Sequence, residues 1–237
     1  MATYLLVHGG WHGGWYWRRV TTILRGAGHE AFTPTLTGLG ERAHLLSPEI
    51  DLETHIEDVL GVLNWEDLGD VILVGHSYAG MMVSAVAERA AERLAHLVYL
   101  DAFVPRDGEA LTNLIGPEFL AVFQERVRAE GEGWRLPPLP LEVLGITEES
   151  DKQWMEPKLV DQPFKAFSQP VRLKGEEAAS RLPRTFIYCN QPAIGPYDQF
   201  AERARAEAGW RYREIATGHF PMVTAPRRTA ELLLELA

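Results

Sequence analysis

The sequence predicts an α/β fold, with a mostly parallel sheet of about six strands, helices on both faces and an inserted helical cap. Three observations predict it. Short continuous apolar runs of strand length recur along the chain and alternate with amphipathic helical stretches, the rhythm of βαβ units. One of these runs, VILVGH, passes through a turn too sharp for ordinary residues straight into a helical stretch. Between residues 104 and 183 the alternation stops and prolines, aromatics and short helical patterns take over.

Taken in order, TYLLV ends in His8-Gly9-Gly10, as a buried strand entering a tight loop does. A helix follows from about Gly14 to Arg25, with Trp15, Val20, Ile23 and Leu24 as its apolar stripe and Gly26 and Gly28 as its stop. Next come a strand near Glu30 to Thr33, the Pro/Gly loop PTLTGLGER, and a helix from Leu52 to about Trp65 entered through Asp51 as N-cap. The strand and helix of VILVGHSYAGMMVSAVAERA come next, then the buried run HLVYLDAF. After the insertion the alternation resumes with TFIYC, a helix near Gln199 to Ala208, the strand WRYREI and a final helix in APRRTAELLLELA. This assigns 1–103 and 184–237 to the sheet and 104–183 to the cap of a single domain.

A chain of 237 residues, 46% apolar, can bury one large core. A formal charge of −10, from 33 acidic and 23 basic residues without a long Lys/Arg run, works against nucleic acid or an anionic membrane as partner and favours a small neutral substrate. A homodimer is compatible with the composition. The start, MATYLLVHGG, has no basic segment before its apolar run, and no run is long enough to span a membrane. A lone Cys189 precludes an internal disulfide framework and suits a reducing interior, so a cytoplasmic setting is expected.

The chemistry centres on Gly75-His76-Ser77-Tyr78-Ala79-Gly80. Small residues around a serine let strand and helix pass closely and push the serine into strained backbone with its hydroxyl exposed, which is what a nucleophile needs. The last glycine of the G-x-S-x-G pattern is Ala79 here, with Gly80 directly behind it. A serine hydroxyl is a poor nucleophile at neutral pH and needs a base that is itself oriented by a third group. His219, in the loop ATGHFPMV between the last strand and last helix, is the candidate base. His76 reads as filler of the turn, and His29, His44, His55 and His96 lie in charged surroundings that suggest solvent exposure. His8 and His12 have metal-like spacing but flank glycines in a loop, so no metal is expected, and no cofactor. For the oxyanion, the N–H groups of Gly10 and of Tyr78 are the expected donors.

HGGWHGGWYWRRV, GHSYAGM, LVYLDAFVP, QPVRL and GHFPMV occur in this order along nearly the whole chain. In these motifs the sequence resembles the hydroxynitrile lyase and plant methylesterase branch of the α/β-hydrolases, and most of all its bacterial esterase members. The resemblance implies the α/β-hydrolase fold, Ser77 as nucleophile, His219 as base and Gly10 as loop donor. It also implies which chemistry is absent. The cyanogenic members carry a Thr where this chain has Gly9 and a Lys where it has Phe220, so no cation is on hand for departing cyanide and ester hydrolysis is the expected inheritance.

The plant members place the triad acid at the position of Pro192, and Asn190-Gln191-Pro192-Ala193 contains no carboxylate. Asp101, at the carboxyl end of HLVYLD, and Asp198, further along that loop, are the substitutes. Strand ends of a parallel sheet meet at one rim, and related hydrolases with the haloalkane dehalogenase pattern carry their acid after this strand, which favours Asp101. Asp198 reads as the start of the next helix, and a dyad without an acid stays open. Trp11, Phe103, Trp134, Trp154 and Phe220 are the expected pocket, matched to a small apolar or aromatic ester. A cyclase or carbon–carbon lyase using the same serine, and a small-molecule-binding protein with slow hydrolysis, remain alternatives.

Overall fold

The computed structural model describes residues 1–175, 177–193 and 195–237. Its strands are β1 (Thr3–Val7), β2 (Glu30–Phe32), β3 (Val71–His76), β4 (Leu94–Leu100), β5 (Arg135–Leu136), β6 (Gln162–Pro163), β7 (Arg184–Cys189) and β8 (Trp210–Ile215). Six of them form one sheet in the order β2-β1-β3-β4-β7-β8. Every pairing in it is parallel. β5 and β6 pair separately and antiparallel. All six residues of β3 are buried, as a strand covered on both faces must be, which is why it reads as an unbroken apolar run.

Helices flank this sheet. A short 3-10 turn at Gly14–Trp17 leads into α1 (Arg18–Gly26), which packs on the C-terminal helix Pro226–Leu234. α2 (Leu52–Trp65) starts at Asp51, whose carboxylate takes the Thr54 N–H in a capping box, and packs on α3 (Ala79–Arg89). The stretch 104–183 carries the helices Leu111–Leu114, Pro117–Ala129, Glu149–Met155 and Phe164–Ser168 beside the β5–β6 ribbon. Among the described residues no helix is long and apolar enough to cross a membrane.

Two glycines make the β3–α3 turn possible. A Cβ on Gly75 would lie 2.5 Å from Val83 Cγ2, and one on Gly80 only 1.9 Å from the carbonyl oxygen of Phe103. Any side chain at Gly80 would force α3 off the segment that follows β4. Thus Gly80, not the residue in the ordinary last position of the motif, keeps the helix close.

Two histidines expected in solvent are inside. His55 is fully buried on the face of α2 that also carries Leu52, Ile56, Val59 and Leu63. His96 is buried on β4, with Nε2 2.7 Å from the Thr185 hydroxyl. Charged sequence neighbours misled in both cases, because on a helix or strand it is the residues three to four, or two, positions away that share a face.

Candidate active site

Parallel strands end together, and this brings the chemistry-bearing residues to one rim. β3 and β4 are in register to their ends, His76 opposite Leu100, so the next residues, Ser77 and Asp101, leave the sheet side by side. Ser77 N–H reaches Leu100 O at 3.4 Å, Phe103 N–H reaches Ser77 O at 3.1 Å, and Asp101 N–H reaches Ile187 O on β7 at 2.7 Å. Ser77 and Asp101 both adopt left-handed backbone, at φ 57° and 43°, as does Trp11 at 64° after β1. Such conformations cost non-glycine residues on the order of 1–3 kcal/mol each, and three of them meet at this rim.

His219 sits in the loop after β8 and is buried, as is Asp101. Its Nδ1 lies 2.7 Å from Asp101 Oδ2, while Asp101 Oδ1 accepts the Cys189 N–H at 3.1 Å. Burial raises the Asp101 carboxyl above its ordinary range, and the bonds from His219 and Cys189 work against that rise. Asp198 stands elsewhere: it opens the helix Asp198–Ala206 and accepts a hydrogen bond from the Tyr188 hydroxyl.

His76 does more than fill the turn. Its Nε2–H donates to the His219 carbonyl at 2.7 Å, which leaves Nδ1 to accept from the Tyr16 hydroxyl at 3.0 Å, and Tyr16 in turn accepts the Gly9 N–H at 2.7 Å. Burial, followed by the nearby His219, keeps the His76 imidazole well below its ordinary pKa and therefore neutral. One uncharged chain thus ties the loop of His219, the serine turn and the loop after β1 together.

The loop after β1 also sorts its own N–H groups. Gly9 N–H is held by Tyr16, and Trp11 N–H by Gln162 Oε1 at 3.2 Å. Gly10, between them, lines the cavity with Ser77 and Tyr78. Tyr78 is anchored at its far end, where its hydroxyl lies 2.9 Å from His55 Nδ1 and His55 Nε2–H donates to Thr37 O at 3.0 Å. Since Nε2 carries that proton, Nδ1 is the acceptor and Tyr78 the donor.

The cavity over Ser77 takes in about 610 Å³ of space between atoms, its open mouth included. Trp11, Phe103 and Phe220 line it as expected, and Phe119, Phe123 and Phe167 from the 104–183 stretch join them. Trp134 and Trp154 do not line it. Trp154 turns instead toward α1, edge-on to Trp15 at 5.1 Å with the Arg19 guanidinium 4.8 Å from its ring, and Trp134 lies beside Arg135. Among the described residues no Lys, Arg, Asp or Glu lines it, which fits an uncharged ligand. Among the described residues no cluster of His, Cys, Asp or Glu could hold a metal ion.

One residue was not foreseen. The Tyr197 hydroxyl lies 2.9 Å from Ser77 Oγ and 3.3 Å from His219 Nε2, and its ring stacks on the imidazole, 4.6 Å away and 15° from parallel. It comes from the loop after β7, so the only sequence signal was position: an aromatic residue in a loop at a strand's carboxyl end.

A parallel sheet, a serine on a strained strand-to-helix turn and a buried carboxylate-paired histidine define a hydrolase of the α/β class. The chain belongs to the alpha/beta hydrolase family, whose model matches residues 4–232. It is similar over its whole length, at 38% identity and with all of the relative covered, to a carbendazim hydrolyzing esterase of Nocardioides sp. (strain SG-4G). It is 26% identical to methylesterase 7 of Arabidopsis thaliana, over 99% of this chain and 95% of that one. Among solved structures, an extracellular alpha/beta-hydrolase from a Paenibacillus species superposes with a TM-score of 0.87 at 24% identity, covering 100% of this chain and 99% of that one. A pyrethroid hydrolase from Sphingobium faniae gives 0.78 at 23%, over 99% and 96%.

Proposed function

We propose that the protein is a serine carboxylic ester hydrolase acting on small apolar or aromatic esters through an acyl-enzyme on Ser77. The observation that carries this reading is the 2.7 Å contact between Asp101 and His219 at the rim where Ser77 projects, beneath an uncharged, aromatic-lined cavity. Ester hydrolysis is also the activity named for the two relatives described above.

The steps follow from the donors and acceptors present. Asp101 accepts the Nδ1 proton of His219, so Nε2 carries a lone pair and serves as base toward the Ser77 proton. Ser77 Oγ attacks the ester carbonyl, and the oxygen, as it gains charge, takes the N–H groups of Gly10 and Tyr78. His219 then returns the proton to the departing alcohol, and water deacylates Ser77 by the same route. The 104–183 stretch acts as the cap that gives the acyl or alcohol group its apolar walls. A cytoplasmic setting agrees with the free, buried Cys189.

Turnover of short-chain aryl esters by the wild-type protein and by Ser77→Ala tests the reading. The wild type should release the aryl alcohol catalytically and Ser77→Ala should not, while both melt alike. A Ser77→Ala protein with wild-type turnover would exclude the serine mechanism.

A further inference from the structure

We propose that Tyr197 is a fourth catalytic residue, whose hydroxyl carries the Ser77 proton to His219. The proposal rests on the serine mechanism above and adds a step to it. Its basis is the bridging position of one hydroxyl, 2.9 Å from Ser77 Oγ and 3.3 Å from His219 Nε2. Among the described residues no direct hydrogen bond joins Ser77 Oγ to His219.

The direction of the chain is fixed by which atoms hold protons. Asp101 Oδ1 already accepts from Cys189, and an ionised carboxylate only accepts, so His219 Nδ1 must donate to Oδ2. Nε2 is then an acceptor, and the hydroxyl beside it, Tyr197, is its donor. The oxygen of Tyr197, having given its own proton to that bond, accepts from Ser77 Oγ–H. The protons therefore run one way, from Ser77 through Tyr197 to His219, with Asp101 at the end.

As Ser77 Oγ bonds to the acyl carbon, its proton passes to the Tyr197 oxygen and the Tyr197 proton passes to Nε2. The carbonyl π pair becomes the oxyanion, His219 becomes an imidazolium paired with Asp101, and Tyr197 ends as it began. The phenol stays neutral throughout because burial, ahead of every other influence, pushes its ionisation far above the ordinary tyrosine range. Its parallel stacking on the imidazole at 4.6 Å, with Phe103 edge-on at 5.1 Å on its other contact, holds the hydroxyl in line. When His219 later protonates the leaving oxygen, the same hydroxyl is the group next to Nε2, so the return path is the reverse of the first.

The test is the rate at which a fluorophosphonate labels Ser77, followed by intact mass in wild type, Tyr197→Phe and Ser77→Ala. Tyr197→Phe keeps the stacked ring and removes only the bridge. Its labelling should slow by on the order of 100-fold or more, the scale of a lost proton-transfer partner. The bowed dependence of the wild-type rate on solvent deuterium content should also flatten as one moving proton is lost. A labelling rate equal to or above that of wild type, with unchanged curvature, would overturn the relay and make Tyr197 a packing residue. Replacing Tyr197 by a fluorotyrosine, which keeps both ring and hydroxyl, should change the labelling rate with phenol acidity; an invariant rate would equally overturn it. Ser77→Ala separates the two levels of argument: labelling that persists there overturns the serine mechanism itself, whereas a silent Ser77→Ala beside an unimpaired Tyr197→Phe overturns the relay alone.

Discussion

His219 Nδ1 lies 2.7 Å from Asp101 Oδ2, and Asp101 Oδ1 accepts the Cys189 N–H at 3.1 Å, so the two oxygens of one buried carboxylate serve two different donors. An amide in its place has a single oxygen. In Asp101→Asn, if that oxygen keeps Cys189, the NH₂ group faces Nδ1 and drives the imidazole into the tautomer that cannot act as base. We expect kcat on aryl esters to fall by up to ~10⁴-fold with the fold retained. Asp198→Asn, which loses only its bond from Tyr188, should leave kcat within about twofold of wild type, since the altered group does not touch the base. Steady-state kinetics on both variants decide it, and the reverse ranking would move the acid to Asp198.

The serine turn depends on a close approach that no side chain can enter. Gly80→Ala would set a Cβ 1.9 Å from Phe103 O, a backbone atom with nowhere to retreat, so a loss on the order of 3 kcal/mol is expected. Gly26→Ala, at the end of α1 with nothing within 4 Å of the added Cβ, should be neutral or slightly stabilising. Denaturant midpoints measure both. Equal midpoints would mean that α3 can move away from the segment after β4.

Much of this arrangement was legible in the sequence, for local reasons. Ser77 and His219 announce themselves through small residues and chain order, and Asp101 through topology, since a residue at the end of one parallel strand neighbours the end of the next. Tyr197 could not be read the same way. It meets Ser77 from 120 residues away, out of a loop with no pattern beyond its place after β7. Trp134 and Trp154 failed differently: composition supplied them, but which side chains of the 104–183 stretch turn toward the cavity depends on packing, and Trp154 packs against Trp15 and Arg19 instead. His55 was recoverable, because Leu52, Ile56, Val59 and Leu63 mark its face of α2 as the buried one.

Buried histidines make stability depend on pH. Burial lowers His8 to about 3 and His12 to about 4, from 6.5 in the unfolded chain. Between pH 6.5 and 4 the unfolded chain therefore binds more protons than the folded one, so this contribution is complete above pH 6.5 and lost as pH falls. Each histidine contributes a slope of up to ~1.4 kcal/mol per pH unit in that window. The raised carboxyl of Asp101 acts in the opposite sense and trims the slope. Guanidinium midpoints should thus be lower at pH 5 than at pH 7, and a midpoint higher at pH 5 would contradict neutral, buried imidazoles.

As proposed above, ester bonds are cleaved through a covalent bond to Ser77. Acid-quenched rapid mixing with an activated aryl ester, followed by peptide mapping by mass spectrometry, tests it most directly. The wild type should give a burst of aryl alcohol stoichiometric with enzyme and an acyl group on the peptide bearing Ser77, with neither in Ser77→Ala. Steady turnover with no burst and no acylated peptide, or an acyl group found on another residue, would contradict it.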